Sequence, residues 1–297
     1  MNKKIVMCGC CEVGYNIIDS LLKDGFHFDY FVVFTQDQAQ KFQISGYKNF
    51  FELAQIYNIP LYIPQSYDLK SKEDLEFFQT QKFDLIIQGG WQRLFPSAIL
   101  QTLSIGAIGV HGSSDFLPKG RGRSPLNWSI IENKTRFIMQ IFIIKEGVDD
   151  GDVFDYEIFD INKSDTIRTL YYKYAIVVKR MLKRNINNIL NNKLNVKKQI
   201  GKPTYYKKRT PQDGVIDWEI MDVFTIDSLI RAVAFPYPGA KAIINNQEYT
   251  IWQAQVFDTK ITYEDKRYGE CVEIFDENLL INCLGGLLLI TKYKKQL

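Results

Sequence analysis

The sequence is poor in the residue types that most often carry chemistry. Its 297 residues include only two histidines and five cysteines, and the net charge is +3. It has neither a run of about 18 apolar residues, which a membrane helix needs, nor an export signal at its start. We therefore expect a cytoplasmic protein with free thiols and no membrane span, and the mild charge gives no indication of nucleic-acid binding.

The chain up to about residue 190 alternates strand-like and helix-like patterns. The apolar runs span residues 4–9, 28–34, 59–63, 83–87, 105–111 and 137–144. Between them, apolar residues recur three and four positions apart, which is typical of helices packed on one face. This spacing predicts a helix over residues 46–57 and a longer one from Thr166 to about Leu190. The alternation predicts an α/β fold with a doubly wound, mostly parallel sheet.

A change of pattern after residue 190 predicts a second, smaller domain. Residues 191–207 are polar and rich in Asn and Lys, and short strands separated by Gly, Asn and Asp turns follow them. We expect a first domain over residues 1–190, a linker over 191–207 and a β-rich, barrel-like C-terminal domain over 208–297.

Basic residues are concentrated in the centre of the chain. Between Thr166 and Gln212 there are 13 Lys and Arg residues and no Asp or Glu. From Lys197 to the end, 14 basic and 13 acidic residues nearly balance. The basic strip is equally consistent with a solvated helix face and with a contact for phosphates. The balanced C-terminal part argues against a large nucleic-acid footprint there.

Ligands of open α/β sheets bind at the carboxyl ends of the strands, so the segments after the strands are the candidate sites. Gly9–Gly14 matches neither G-x-G-x-x-G nor the P-loop pattern, which favours a plain strand-to-helix turn. Gln88–Pro96 contains two glycines and a tryptophan that could wall a flat ring. The cysteines at 8, 10 and 11 lack the further ligands that a zinc site needs.

The segment from His111 to Pro125 is the strongest candidate. His111 stands at a strand end, before a loop with three cations and three glycines, whereas His27 follows a helix stop and is expected on the surface. The acidic cluster Glu146–Asp152 follows another strand and lacks the spacing of a calcium-binding loop. A carboxylate of this cluster beside the imidazole would orient the ring and suit it to proton transfer.

Several motifs, in order, resemble those of formyltetrahydrofolate-dependent formyltransferases. The catalytic stretch of that family is similar to His111-Gly-Ser, Leu117-Pro, Arg121-Gly, Pro125 and Val148-Asp-Asp-Gly-Asp152. The C-terminal module of methionyl-tRNA formyltransferases and their sugar-modifying relatives is similar to Lys208–Trp218, Leu229-Ile-Arg-Ala and Pro236–Ala240. Gly90-Trp-Gln-Arg-Leu and Gly120–Trp128 look most like enzymes that N-formylate nucleotide-linked amino sugars.

The resemblance implies a Rossmann-like first domain, 10-formyltetrahydrofolate as the formyl donor and an amine as the acceptor. The family carries an Asn-x-His motif followed later by Asp; His111 matches the histidine and Asp149 the aspartate, so both are expected to be catalytic. Gly109 stands in place of the asparagine, which would stabilise the oxyanion of the tetrahedral intermediate. A protonated His111, a backbone amide and an ordered water are the alternatives for that role.

The family position of two further sets of residues implies how the substrates bind. The pterin is expected against backbone groups of two loops, Arg93, Leu94 and Phe95 in one and Gly147, Val148 and Asp149 in the other. The phosphates of the acceptor are expected at Lys119, Arg121 and Arg123. No metal is expected.

The function predicted in this way is formyl transfer to the amine of a nucleotide-linked amino deoxysugar. One alternative is a methionyl-tRNA formyltransferase, which would spread phosphate contacts over a large surface. Another is a folate or nucleotide-sugar binding module that lost its chemistry with the change to Gly109, and a third is hydrolysis of the donor by water. Because related sugar enzymes are often dimers, a homodimer is one expected assembly.

Overall fold

The computed structural model describes residues 3–296. The chain begins with β1 (Ile5–Gly9), α1 (Glu12–Lys23), β2 (Tyr30–Val32), α2 (Gln36–Lys41), α3 (Phe51–Ile56), β3 (Leu61–Tyr62), α4 (Lys72–Gln81), β4 (Leu85–Gly89), α5 (Ser97–Leu100) and β5 (Gly106–Ser113). It continues with β6 (Arg121–Gly122), α6 (Pro125–Ile131), β7 (Arg136–Ile143), β8 (Val153–Asp160) and α7 (Ile167–Leu190). The last part contains β9 (Tyr205–Tyr206), a 3-10 turn (Pro211–Gly214), α8 (Val223–Val233), β10 (Ala240–Ile244), β11 (Gln247–Asp258), β12 (Cys271–Phe275), β13 (Asn278–Cys283) and β14 (Gly286–Lys295).

Seven strands form one sheet in the order β3-β2-β1-β4-β5-β7-β8. The strands from β3 to β5 in this order are paired in parallel, and β7 joins β5 antiparallel, with His111 opposite Gln140. Every residue of β1 is buried, as is typical of a central strand covered on both faces. The strand order reverses between β1 and β4, as in doubly wound folds. The predicted α/β fold with a mostly parallel sheet is confirmed.

The turn after β1 packs closely against the end of β4. A Cβ atom added to Gly14 would overlap the carbonyl oxygen of Gly89, so only glycine fits at this position of α1. The thiol of Cys10 donates to the carbonyl oxygen of Gly90 at 3.1 Å. The glycines of this segment therefore serve close packing of a strand-to-helix turn.

The helix expected over residues 46–57 is shorter in the structure, where α3 begins at Phe51. The preceding residues contact the turn after β1 instead, and the carbonyl oxygen of Gly46 accepts a hydrogen bond from the Glu12 N–H at 2.9 Å. This tertiary contact overrides the helical spacing of the sequence.

The C-terminal residues form an antiparallel sheet in the order β10-β11-β14-β13-β12, with α8 packed on it. The side chain of Asp222 caps α8 by accepting the Thr225 N–H at 2.7 Å. The two edge strands approach each other at one end, where the Cys271 N–H donates to Asn245 Oδ1 at 3.2 Å. A smaller, β-rich C-terminal domain is thereby confirmed.

Two compact units are distinguished by their internal contacts. Among the described residues, the first unit consists of 3–121, 138–158 and 172–204, and the second of 122–137, 159–171 and 205–296. The domain boundaries 1–190, 191–207 and 208–297 stay a prediction. Within residues 3–296, the helices are all too short or too polar to cross a lipid bilayer.

Candidate active site

His111 is the centre of the candidate site. It lies near the end of β5, and only 8% of it is exposed. Its Nε2 atom is 2.8 Å from the carbonyl oxygen of Gly120, and its Nδ1 atom is 3.3 Å from Oδ2 of Asp149. The fold therefore brings together the two residues predicted to be catalytic, although His111 lies in β5 and Asp149 in the turn between β7 and β8.

Both ring nitrogens of His111 face oxygens that can only accept, since a carbonyl and an ionised carboxylate have no hydrogen to give. A neutral imidazole has a single N–H and can donate to one of them, whereas an imidazolium donates to both. A neutral ring held by the shorter contact to Gly120 leaves Nδ1 unprotonated beside Asp149. One proton can therefore bind between Nδ1 of His111 and the Asp149 carboxylate and can be released again.

Asp149 lies in the turn between β7 and β8 and has a left-handed backbone, with φ of 49°. Residues other than glycine adopt this conformation rarely, and aspartate is among those that tolerate it best. The carbonyl oxygen of Asp149 accepts a hydrogen bond from Nε2 of Gln199 at 2.7 Å, and the same amide lies 2.8 Å from the carbonyl oxygen of Gly151. The turn is thus held from outside by a residue distant in the sequence.

The loop after β5 is held in a similar way. The Gly120 N–H donates to Oγ1 of Thr204 at 2.8 Å, and the Ser113 hydroxyl lies 3.1 Å from the Lys119 carbonyl oxygen. Because the carbonyl of Gly120 contacts His111, the conformation of this loop sets the orientation of the imidazole.

The two loops expected to face the pterin lie side by side, joined by a hydrogen bond from the Ser97 hydroxyl to the Glu146 carboxylate. In the second loop, Val148 is 41% exposed and Gly147 is half-buried. An exposed apolar side chain suits contact with a flat heteroaromatic ring. That these residues bind the pterin stays a prediction.

The first of these loops is organised by its aromatic neighbours. The guanidinium of Arg93 stacks on the ring of Tyr67 at 3.9 Å. Phe95 is buried, and its ring stacks at 6.1 Å on that of Trp91. Leu94 is 48% exposed. The side chains of Arg93 and Phe95 are therefore used within the protein, which leaves backbone groups and Leu94 for a ligand.

The three cations expected at the acceptor phosphates differ in their surroundings. Lys119 is exposed in the first unit, and Arg123 is exposed in the second. Arg121 instead directs its Nε and Nη2 atoms to Oε1 of Gln199, at 3.2 and 2.6 Å. One edge of its guanidinium is therefore committed to a contact within the protein.

The space beside Gly109 is filled by neighbouring side chains. A Cβ atom added to Gly109 would lie 2.7 Å from Cγ1 of Ile144 and 3.1 Å from Cε2 of Phe142. An asparagine at this position would require Ile144 to move. The side chain of Ile144 therefore occupies the space that an asparagine at position 109 would need.

Of the two cysteines that follow β1, Cys10 is buried and Cys11 is half-buried. Burial raises the pKa of Cys10 and of Cys11, so both are neutral at ordinary pH. Neutral thiols are poor metal ligands and poor nucleophiles. Burial likewise raises the pKa of the Tyr174 phenol, and the charge of Asp149 raises it further.

Within the cluster Glu146–Asp152, the carboxylates of Glu146, Asp149 and Asp152 contact different partners. Asp152 lies 2.9 Å from the Lys145 ammonium, while Glu146 and Asp149 have the partners given above. No group of three or more potential metal ligands is present among residues 3–296.

Two residues that hold the candidate site were not expected from the sequence. Gln199 and Thr204 lie in the polar segment 191–207, which was predicted only as a linker. Asn- and Lys-rich composition carries no signal for contacts to two distant loops. Gln140 was also missed; it is buried opposite His111, and its Oε1 accepts the Leu117 N–H at 3.4 Å.

Known proteins resemble this chain over nearly its whole length. It is 27% identical over 289 residues to the bifunctional polymyxin resistance protein ArnA of Wigglesworthia glossinidia brevipalpis, covering 94% of this chain and 41% of that protein. The chain thus spans less than half of that relative.

Two solved structures have the same fold. The N-formyltransferase from Helicobacter canadensis, in complex with folinic acid and dTDP-3-aminofucose, has a TM-score of 0.68 and 21% identity, and the match covers 99% of this chain and 100% of that chain. HypX from Aquifex aeolicus, in complex with tetrahydrofolic acid, has a TM-score of 0.72 and 17% identity, and the match covers 100% of this chain and 45% of that chain.

Two family models match almost all of the sequence. The formyl transferase model matches residues 3–186, and the model of the formyl transferase C-terminal domain matches residues 208–296. Both halves of the resemblance stated above are thereby confirmed, and the chain belongs to the formyl transferase family.

Proposed function

We propose that this protein transfers the formyl group of 10-formyltetrahydrofolate to the amine of a nucleotide-linked amino deoxysugar. The observation that carries the proposal is the buried contact between His111 and Asp149 in a member of the formyl transferase family. The Helicobacter canadensis enzyme, which was crystallised with a folate and a nucleotide-linked amino sugar, supports the same substrate classes for this chain.

In the proposed reaction the neutral amine attacks the formyl carbon, and the carbonyl oxygen becomes an oxyanion. The amine nitrogen then carries an extra proton, which passes to the His111–Asp149 pair. The bond between the formyl carbon and N10 of the folate breaks, and N10 takes a proton from the pair. One proton is taken up and one released, so the pair returns to its initial state.

The oxyanion needs a hydrogen-bond donor, and Gly109 has no side chain to supply it. Both ring nitrogens of His111 face acceptors of the protein, so the ring has no N–H left for the oxyanion. We therefore assign the stabilisation of the oxyanion to the positive charge that the ring carries once it has taken the proton of the amine. A positive charge beside the reacting oxygen stabilises the oxyanion without a further residue.

The basic strip offers little support to the methionyl-tRNA alternative. Four of its side chains in α7 already contact carboxylates of the same unit. The pairs are Lys179–Asp24, Lys183–Asp24, Arg180–Glu157, Arg184–Glu157 and Arg184–Asp155. Charges neutralised in this way contribute less to phosphate binding, which depends on the release of counterions by free cations.

A panel of acceptors tests the proposed function. The protein is incubated with 10-formyltetrahydrofolate and nucleotide-linked 3-amino and 4-amino deoxysugars, and products are identified by mass. We expect one class of amino sugar to gain a formyl group, with acceptor binding that weakens only slightly with salt. Formylation of methionyl-tRNA with a steep salt dependence would instead establish the tRNA alternative. Donor binding without any product would indicate a binding module.

A further inference from the structure

Residues 197–204, which we call the strap, cross both loops of the candidate site. The strap begins beside β8, where the backbones of Lys197 and Val153 exchange two hydrogen bonds, at 2.7 and 2.9 Å. It ends at Thr204, which contacts the loop after His111 through both backbone and side chain. These repeated contacts with two separate loops distinguish the strap from a linker that only connects two domains.

Gln199 connects the two loops through the two ends of one amide. Its Oε1 accepts from Arg121, in the loop that follows His111, while its Nε2 reaches the carbonyl oxygens of Asp149 and Gly151. We propose that Gln199 is a positioning residue that holds the Asp149 carboxylate against His111. The proposal rests on the proposed function for the reaction it serves, but its geometry is independent of the acceptor.

The backbone of Asp149 shows why such a residue is needed. Its left-handed conformation is sparsely populated and persists where surrounding contacts hold it. Gln199 donates to the carbonyl oxygens of Asp149 and Gly151, so the peptide planes that follow these two residues are fixed. Relaxation of the turn would swing the carboxylate away from Nδ1 of His111, which is already at the long distance of 3.3 Å.

The same contact gives Arg121 a different role from the one its family position implies. Its guanidinium supplies two hydrogens to Oε1 of Gln199, which fixes the amide so that Nε2 points to the Asp149 turn. Arg121 thus acts through Gln199 and orients the catalytic carboxylate indirectly.

The test compares Gln199→Glu with Lys198→Ala. The glutamate keeps an acceptor for Arg121 but places oxygens against the carbonyls of Asp149 and Gly151. Lys198 is the exposed neighbour on the same strap and serves as the matched control. We expect Gln199→Glu to lower kcat by about 10- to 100-fold, the cost of misplacing a group by a fraction of an ångström to about 1 Å. The KM for either substrate and the melting temperature should change little.

A second readout does not need the reaction. The chain has two histidines, so in a His27→Gln background the ¹⁵N imidazole signals belong to His111 alone. We expect the signals and titration curve of His111 to change in Gln199→Glu and in Gln199→Leu, and the pH profile of kcat to change with them. Lys198→Ala should leave both as in the wild type.

Three outcomes are decisive. Unchanged His111 signals and kcat in both Gln199 variants would overturn the proposal, and so would variants that only unfold, since the strap would then be a folding element. If the wild type forms no product with any amino sugar, the proposed function fails, while the imidazole signals still decide the role of Gln199.

Discussion

Replacement of His111 by asparagine is expected to lower kcat by about 10²- to 10⁴-fold, the usual contribution of a positioned acid–base group. The reason is that asparagine can contact Gly120 but cannot exchange a proton with Asp149. Asp149→Asn should cause a fall of similar size. The double variant should be little worse than either, because the two groups act as one unit. Steady-state rates with the preferred acceptor measure all three.

The protein contains its own control for this prediction. His27 is the other histidine, its side chain is 79% exposed, and it lies 3.7 Å from Asp29 rather than in a cleft. His27→Asn should keep the wild-type rate, and the His111 variant should still bind the folate. A His111→Asn protein that retains most of its activity would show that proton transfer takes place elsewhere.

Restoring the family asparagine at position 109 is expected to have opposite effects in two backgrounds. Alone, Gly109→Asn should lower activity and stability, because its Cβ atom meets Ile144 at 2.7 Å and Phe142 at 3.1 Å. In an Ile144→Ala background the amide has room to donate to the oxyanion. There it should raise kcat by up to about 100-fold over Ile144→Ala alone, since one such donor is worth about 10²- to 10³-fold.

The four proteins of this series form a double-mutant cycle, with rate and melting temperature measured for each. A strongly favourable coupling between positions 109 and 144 is the expected result. If Gly109→Asn fails to raise the rate in the Ile144→Ala background, an amide at position 109 does not stabilise the oxyanion, and this prediction is wrong.

The parts of the fold that follow from local pattern could be predicted from the sequence. The helix expected from Thr166 to about Leu190 is found at Ile167–Leu190, because its apolar positions repeat over many turns. The helix expected over residues 46–57 is only half as long. Its first residues contact the turn after β1, and a spacing rule contains no information on such partners.

The candidate site likewise contains residues that could be predicted from the sequence and residues that could not. The proximity of His111 and Asp149 could be expected, because the sequence places both at the ends of strands of one sheet and both match motifs of the family. The roles of Gln199 and Thr204 could not, since their side chains act across distances of many residues and belong to a segment without periodicity. The sequence shows that Gly109 stands in place of the family asparagine, but only the structure shows that Ile144 fills the space beside it.

The fate of the formyl carbon tests the central claim most directly. The wild-type protein is given 10-formyltetrahydrofolate labelled with ¹³C in the formyl group, together with the preferred amino sugar, and the label is followed in a single turnover. The account predicts that the label appears in the amide of the sugar, with one tetrahydrofolate released for each product. Label released as formate at the same rate with and without the acceptor, or label that stays on the donor, would contradict it.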